Sequence, residues 1–326
     1  IYFLSLGRSF RSLNDVSLIN WGSKDFLRCC AEITDENEDT MLEVFYSSSP
    51  IKKKNFKKNE VNLRNSEYLG NLITVLFHPE DLNMLYLGPD LRRRYMDILL
   101  SQSDKKYLRA LFNYKKILRQ RRSLLKTIQQ GNTSNLLGNL SAWDDQIVEH
   151  GSVIILKRLE LIDFLSENIE KIYRSISRKS EKIEIKYKNT IISDITEKEG
   201  IQATYKEKLL ASRERDVKEA RSTVGPHLDD LKFYINSVDI KKSASRGEFR
   251  TMLMSLKLAE IEFLILKTGK KPILLLDDIF SELDNKRRKH LLNAIKGYQT
   301  IITSTDEREI GELAKESTDI EFVQIE

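Results

Sequence analysis

The order of apolar and polar positions divides the chain into two regimes. In the first, short apolar runs are broken by polar clusters: Phe26–Ile33, Met41–Tyr46 and Leu72–Phe77 read as strands, with Asp35 to Asp39 as a turn. Between them, Lys52-Lys53-Lys54-Asn55-Phe56-Lys57-Lys58 reads as a basic hairpin tip or loop. From about Asp97 to Arg178 the period changes. Tyr107, Leu111, Tyr114, Leu118, Leu125 and Ile128 recur by threes, fours and sevens, and Arg121 is the one heptad position that is not apolar. A turn-rich stretch, Gly131-Asn132-Thr133-Ser134-Asn135, is followed by a second run with Trp143, Ile147, Ile154, Leu161, Leu165 and Ile172. Two long helices joined by a short loop should pack as an antiparallel hairpin. Strand signals return at Ile183–Tyr187, Leu231–Ile235, Pro272–Leu276 and Thr300–Thr303. The pattern predicts an α/β domain interrupted by a helical arm.

At 326 residues the chain exceeds a usual single core, so more than one domain is expected. No apolar run approaches the roughly 20 residues that a membrane span needs, and no membrane partner is expected. The two cysteines, Cys29 and Cys30, are adjacent and would point to opposite faces of a strand. That excludes a disulfide framework and points to a reducing, cytoplasmic setting. His78, His150, His227 and His290 have no paired ligand spacing, so no structural zinc is expected. The first residues, Ile1 to Leu6, form an apolar run without a charged flank or cleavage site, which is not a signal peptide and reads as the middle of something buried.

Charge changes the picture of the first arm helix. Between Arg92 and Lys126 there are twelve Lys/Arg against Asp97 and Asp104, a balance of 12 − 2 = +10 in a chain whose total is +5. A solvated helix surface is the ordinary reading of a charge run. Such a surface usually mixes signs, and this one hardly does. With Tyr107, Phe112 and Tyr114 interleaved, a polyanion, and nucleic acid in particular, is the better match. Lys105, Lys106, Arg109, Lys116 and Arg119 are the candidate DNA-binding residues. Arg92, Arg93 and Arg94 adjoin another loop and are set apart as structural, with Asp97 or Glu80 as expected partners.

The strongest local signal for chemistry is Ile273-Leu274-Leu275-Leu276-Asp277-Asp278. A continuous apolar run suits a strand buried in a parallel sheet, and ligands bind at the carboxyl ends of such strands. Two acids there suit Mg²⁺, which takes one or two carboxylates together with substrate phosphates. An acidic turn or helix cap is the alternative. Ser281-Glu282-Leu283-Asp284 follows, then a helix, then a short strand ending at Ser304-Thr305-Asp306. Upstream, Ser243-Ala244-Ser245-Arg246-Gly247-Glu248 opens a helix of about twenty residues, which is either an ordinary N-cap or a set of donors for a phosphate.

This order of segments resembles that of ABC-type ATPases, and four further blocks resemble the RecF family of bacterial recombination mediators, related to SMC proteins. They are Pro79-Glu80-Asp81-Leu82 running to Arg92-Arg93-Arg94-Tyr95-Met96-Asp97; Trp143-Asp144; Gly225-Pro226-His227-Leu228-Asp229-Asp230; and Leu6-Gly7-Arg8-Ser9-Phe10-Arg11. The resemblance covers essentially the whole chain. It implies an ABC-type ATPase head, P-loop NTPase-like but incomplete, with an inserted antiparallel helical arm. Residues 1–98 would form the first lobe of the head, 99–205 the arm and 206–326 the second lobe.

The resemblance also implies roles. Asp277 would hold Mg²⁺, Asp278 would polarise the attacking water, and Thr305 would take the switch position. Ser245 and Gly247 would reach ATP bound to a second subunit, with Ser281 and Asp284 ordering that interface. The implied activity is a weak DNA-dependent ATPase that dimerises with ATP, recognises duplex DNA and single-strand gaps, and works with other recombination mediators to load a recombinase. The family's phosphate-binding loop, Gly-x-x-x-x-Gly-Lys-Ser/Thr, is absent here, and the family places it just before the helix that Ile1 continues. The chain therefore reads as truncated at its N-terminus and, as it stands, is expected to be inactive. Leu87-Gly88-Pro89 and Leu228 depart from the family, and Pro79-Glu80-Asp81 is the nearest candidate for the loop glutamine. A transporter ATPase subunit and a non-catalytic DNA-binding scaffold are the rival readings. The first would lack a basic helical hairpin, and the second is supported only by the missing loop.

Overall fold

A computed structural model describes residues 1–12, 14–22, 25–35, 38–131, 136–191, 197–305, 321 and 323. In chain order, α1 (Tyr2–Leu6) is followed by an antiparallel meander of β1 (Phe26–Asp35), β2 (Glu38–Ser47), β3 (Lys53–Lys58) and β4 (Val61–Leu63). The single turn α2 (Asn65–Tyr68) leads to β5 (Thr74–Phe77) and α3 (Asn83–Tyr86). Then come α4 (Pro89–Ser103), α5 (Lys105–Gln129) and α6 (Leu136–Ser177). Next are β6 (Ile183–Lys188), α7 (Lys198–Ala211), α8 (Arg213–Glu219), β7 (Asp230–Ile235), β8 (Val238–Asp239) and α9 (Ile240–Ser243). The remaining elements are α10 (Arg246–Thr268), β9 (Ile273–Asp277), α11 (Asn285–Ala294) and β10 (Thr300–Thr303).

Local chemistry accounts for many of these boundaries. Both short hairpins, β3–β4 and β7–β8, turn on two residues with positive φ, Asn59-Glu60 and Asn236-Ser237, which is the geometry that matches strand twist. Pro89 opens α4 at a position where its missing N–H costs nothing. The Asp104 carboxylate caps α5 by accepting from the N–H groups of Lys106 (2.7 Å) and Tyr107 (3.0 Å). Ser245 and Glu248 form a capping box at the start of α10, and Gly269, at φ 69°, ends that helix.

The central sheet is parallel, in the order β10-β9-β5, with β5 buried throughout. One hydrophobic cluster runs from β5 through α4, α5, α6, β6, β7 and α10 to β9 and α11. A second, with Leu4, Leu42, Val44, Phe56 and Tyr68, fastens α1 to the meander. Tyr2, Leu4 and Leu6 are buried, as the opening apolar run predicts. No helix among the described residues is long and apolar enough to cross a membrane.

One expectation is corrected. The segment from Lys52 to Lys58 is not a tip or loop, because Lys53 to Lys58 form strand β3, paired in register with β2 so that Phe56 faces Val44. Phe56 is its single apolar residue, and it is buried. Lys54 donates to the Gly7 carbonyl at 2.7 Å and pairs with Asp15. The turn expected at Asp35 to Asp39 falls partly outside the described residues: Asp35 and Glu38 are paired strand ends, and 36–37 are not described. Of the expected loop at Gly131 to Asn135, only Gly131 is described.

Candidate functional site

The acid pair ends the central strand. Parallel register sets Thr303 of β10 opposite Asp277, and Phe77 of β5 opposite Leu276, so His78 emerges level with Asp277. Three strand ends thus converge on one carboxylate. The Thr303 hydroxyl donates to Asp277 at 2.8 Å, and His78 Nε2 lies 3.4 Å away. The Arg11 guanidinium spans both oxygens, at 3.0 and 2.8 Å. Partial burial works against the charge of Asp277, but Arg11, Thr303 and His78 outweigh it and hold the carboxyl below its ordinary range.

Asp278 leaves the sheet in a left-handed conformation, φ 50°, that an aspartate accepts more readily than most residues. Its N–H donates to the Thr303 carbonyl at 3.1 Å, which ties it to the same strand end. The Ser281 hydroxyl donates to the Asp278 carbonyl at 2.8 Å and sits 3.5 Å from its carboxylate. Thr305 is exposed two residues beyond β10, and it is Thr303 that touches the acids.

Ser245 is exposed, and its hydroxyl lies 2.7 Å from the Glu248 carboxylate within the capping box. Asp284 caps α11 by accepting from Arg287 N–H at 2.9 Å. The Arg287 side chain then joins the two loops: it pairs with Asp284 and donates to the Gly247 carbonyl (2.9 Å) and the Thr251 hydroxyl (2.9 Å). A Cβ on Gly247 would stand 3.2 Å from that guanidinium. Gly247 and Asp284 are therefore joined through Arg287, with Ser245 capping the helix that carries Gly247, while Ser281 bonds to Asp278 instead. The sequence assigns no role at the acids to Arg11, His78, Thr303 or Arg287. The signal for His78 and Thr303 lies in the strand register, which no single segment displays.

Metal-ligand chemistry fits the acids in a limited way. Among the described residues no group of three or more His, Cys, Asp or Glu side chains could enclose an ion. One ionised carboxylate beside a hydroxyl suits Mg²⁺ that arrives with phosphates, provided Arg11 yields its place.

Along α5, Tyr107, Leu111 and Tyr114 are buried and Leu118 is half-buried, while Lys105, Lys106, Arg109, Lys116 and Arg119 are all exposed. Lys105 donates to the Glu67 carbonyl at 3.2 Å. Lys106, Arg109, Lys116 and Arg119 have no ion pair among the described residues. Phe112, 59% exposed, sits in the same row. The linear count of +10 nevertheless overstates the field. Arg92 and Arg121 are buried in ion pairs, and Lys115 is bound to Asp97 at 2.9 Å. Arg92 pairs with Asp230 at 2.6 Å and Arg93 with Asp90, not with Asp97 or Glu80. Asp97 is already held by Arg158 and Lys115.

Comparison with known proteins places this geometry. The chain is 40% identical over 311 residues to the DNA replication and repair protein RecF of Thermoanaerobacter sp. (strain X514), covering 95% of this chain and 84% of that protein. It is 39% identical over 308 residues to the same protein of Bacillus thuringiensis (strain Al Hakam), covering 94% and 81%. The chain belongs to the RecF family. Among solved structures, that of the recombination mediator protein RecF-ATP in the RecFOR pathway matches with a TM-score of 0.86 at 35% identity, over 94% of this chain and 81% of that one. No family model matches. The fold is accordingly the ABC-type ATPase head expected from the motifs.

The Gly-Pro-His block that marked the RecF family in the sequence has a physical reason here. A Cβ on Gly225, at φ 127°, would lie 2.2 Å from the Tyr205 hydroxyl and 2.5 Å from that of Tyr114. The Pro226 carbonyl accepts from Arg158 at 2.7 Å. His227 Nε2 lies 3.1 Å from the Ser222 carbonyl, which can only accept, so in the neutral ring Nδ1 accepts from Tyr114 at 2.7 Å. Burial keeps that ring neutral by pushing its pKa down to about 4. Asp229 beside it is driven the other way, up to about 6, by burial against the pull of Arg158. This knot joins the arm helices α5 and α6 to the loop before β7.

Proposed function

We propose that this protein is an ATP-dependent DNA-binding protein of recombinational repair, which hydrolyses ATP weakly in response to DNA and recognises duplex DNA beside single-strand gaps. Kinship with the RecF family, one of whose members is described as RecF-ATP, supports ATP as the ligand. The observation that carries the reading is the pairing of Asp277 and Asp278 at the carboxyl end of β9, where bound phosphates would meet them. Mg²⁺, when bound, would neutralise phosphate charge, and Asp277 with its Thr303 partner would hold it. Asp278 would orient and deprotonate the attacking water, a task that suits its half-buried place outside the Arg11 pair. Thr305 would complete the site as its switch residue.

The surface of Ser245, Gly247, Ser281 and Asp284 would reach the nucleotide of a second copy, so that dimerisation depends on ATP. Residues 1–98 and 206–326 would act as the head and 99–205 as the arm, with Lys105, Lys106, Arg109, Lys116 and Arg119 on DNA phosphates. Other recombination mediators would be its protein partners, in the cytoplasm. The test is ATP turnover by the full-length protein with Asp278→Asn, a change that retains the left-handed backbone. Turnover should fall on the order of a hundredfold while ATP binding and dimerisation persist. Unchanged turnover would move the water-activating role to Asp277 or Glu282.

A further inference from the structure

A groove of roughly 630 Å³ lies at the base of the arm, between the end of α1, α4 and α5. Its size is that of a ligand cleft. Five cationic side chains and two carboxylates line it, and both carboxylates are already engaged, Asp90 by Arg93 and Asp97 by Arg158 and Lys115. Arg8 and Arg94 are left over. Both are half-buried, and neither makes an ion pair among the described residues. Burial above all, and then repulsion from Arg94, pull the Arg8 pKa down, and the opposing pull of Tyr2 and Asp97 does not make up for them. Such an arrangement is relieved by an anion.

The rest of the wall decides which anion. Ile98, Leu118 and Phe112 give it an apolar side, and more than half of the Phe112 ring is open. Guanidiniums and an exposed aromatic ring lining one groove are the elements of single-strand recognition, in which a base stacks while its phosphate is paired. Phe112 also stands between Arg109 and Lys116 on α5, so the groove opens directly off the row of exposed cations.

We propose that this groove takes an unpaired nucleotide of a DNA strand, its phosphate on Arg8 and Arg94 and its base on Phe112, where a duplex lying along α5 gives way to single strand. The inference rests on the DNA-binding reading above and gives it a site for junction recognition. Neither Arg94→Gln nor Phe112→Ala removes a native ion pair, so both proteins should fold.

The experiment compares the full-length protein with these two variants on a blunt duplex and on the same duplex with a short single-stranded tail, of either polarity, carrying 2-aminopurine at its first unpaired position. The wild type should prefer the tailed duplex by about tenfold, with the probe's fluorescence quenched on binding. Each variant should lose that preference while binding the blunt duplex as the wild type does, and Phe112→Ala should also lose the quenching. A preference that survives both substitutions, or a wild type that binds blunt and tailed duplexes equally, overturns the groove assignment alone. Failure to bind either DNA overturns the DNA-binding reading along with it.

Discussion

Arg121 and Asp216 form an ion pair of 2.6 Å in which neither side chain has exposed surface. Asp144, from the facing helix α6, meets the same guanidinium at 2.7 Å, and Ser222 accepts from it at 2.8 Å. Arg213 reaches the other oxygen of Asp144 at 3.1 Å, so two cations balance two carboxylates. This is how the one charged residue in the heptad row of α5 can face inward. Arg121→Leu would leave Asp216 buried without a counter-charge and should cost about 3–5 kcal/mol. Adding Asp144→Asn and Asp216→Asn should return part of that loss. Urea unfolding measures both, and a loss below about 1 kcal/mol for the single variant would mean that the pair does not hold the arm to α8.

Gly225→Ala should be among the more damaging single-methyl changes in the chain. The added Cβ has no room against the hydroxyls of Tyr205 and Tyr114, and φ 127° is strained for alanine. A loss of about 2 kcal/mol or more is expected. Tyr205→Phe in the same chain removes the nearer hydroxyl and should recover some of it, which a double-mutant cycle reads as coupling. Additive effects would place the cost in the backbone alone.

His227 and Asp229 give the knot a pH response in two opposed parts. The His227 pKa is depressed to about 4, so between that value and its ordinary 6.5 the unfolded chain binds more protons, and stability is lost as pH falls through this window. The Asp229 pKa is raised to about 6, so between 6 and its ordinary 3.8 the folded chain binds more protons, and acidification adds stability. Each part has a limiting slope of about 1.4 kcal/mol per pH unit. Relative to wild type, Asp229→Asn should be best tolerated at about pH 7 and lose ground towards about pH 4.5, and His227→Asn should do the reverse. Chemical denaturation of the three proteins at both pH values decides it, and variants that track each other would show that the groups are not buried as described.

The parts of this molecule governed by local periodicity were legible in the sequence. The heptad row of α5 and the apolar run of β9 each state their own environment, and Thr300–Thr303 is a strand at the expected bounds. Arg121 marked itself as an exception in that row, but its meaning needed Asp216, 95 residues away. The stretch from Lys52 to Lys58 does not show itself as a strand, because a strand whose single buried residue is Phe56 has almost no alternation to display. The acids were found by the strand that carries them. Arg11, His78 and Thr303 reach Asp277 only through the register of parallel strands and a loop 266 residues distant, which is tertiary information.

The exposed row on α5 should bind DNA through phosphates without reading sequence. Tyr107, Leu111 and Tyr114 turn inward, which fixes Lys105, Lys106, Arg109 and Lys116 outward, and all four are exposed. Exposed cations displace counterions from a duplex, so binding should weaken linearly in log salt, with a slope near −0.9 per phosphate neutralised. Replacing these four residues by Ala should weaken binding about equally for every sequence and flatten the slope by about two to four units, roughly one per lost phosphate contact. Lys105 should contribute least of the four, because its ammonium already donates to the Glu67 carbonyl at 3.2 Å. Arg92 and Arg121 belong outside this test despite lying on the same stretch, since their charges are spent on Asp230, Asp144 and Asp216. Titrations of a fluorescent duplex at several salt concentrations, for two unrelated sequences, supply both numbers. An unchanged affinity and slope in the fourfold variant would reduce the row to a solvated surface. The DNA site would then have to lie on the head, where Lys52 and Lys53 are exposed at the start of β3, beside Lys54 and Lys57, which are committed to Asp15 and Glu43.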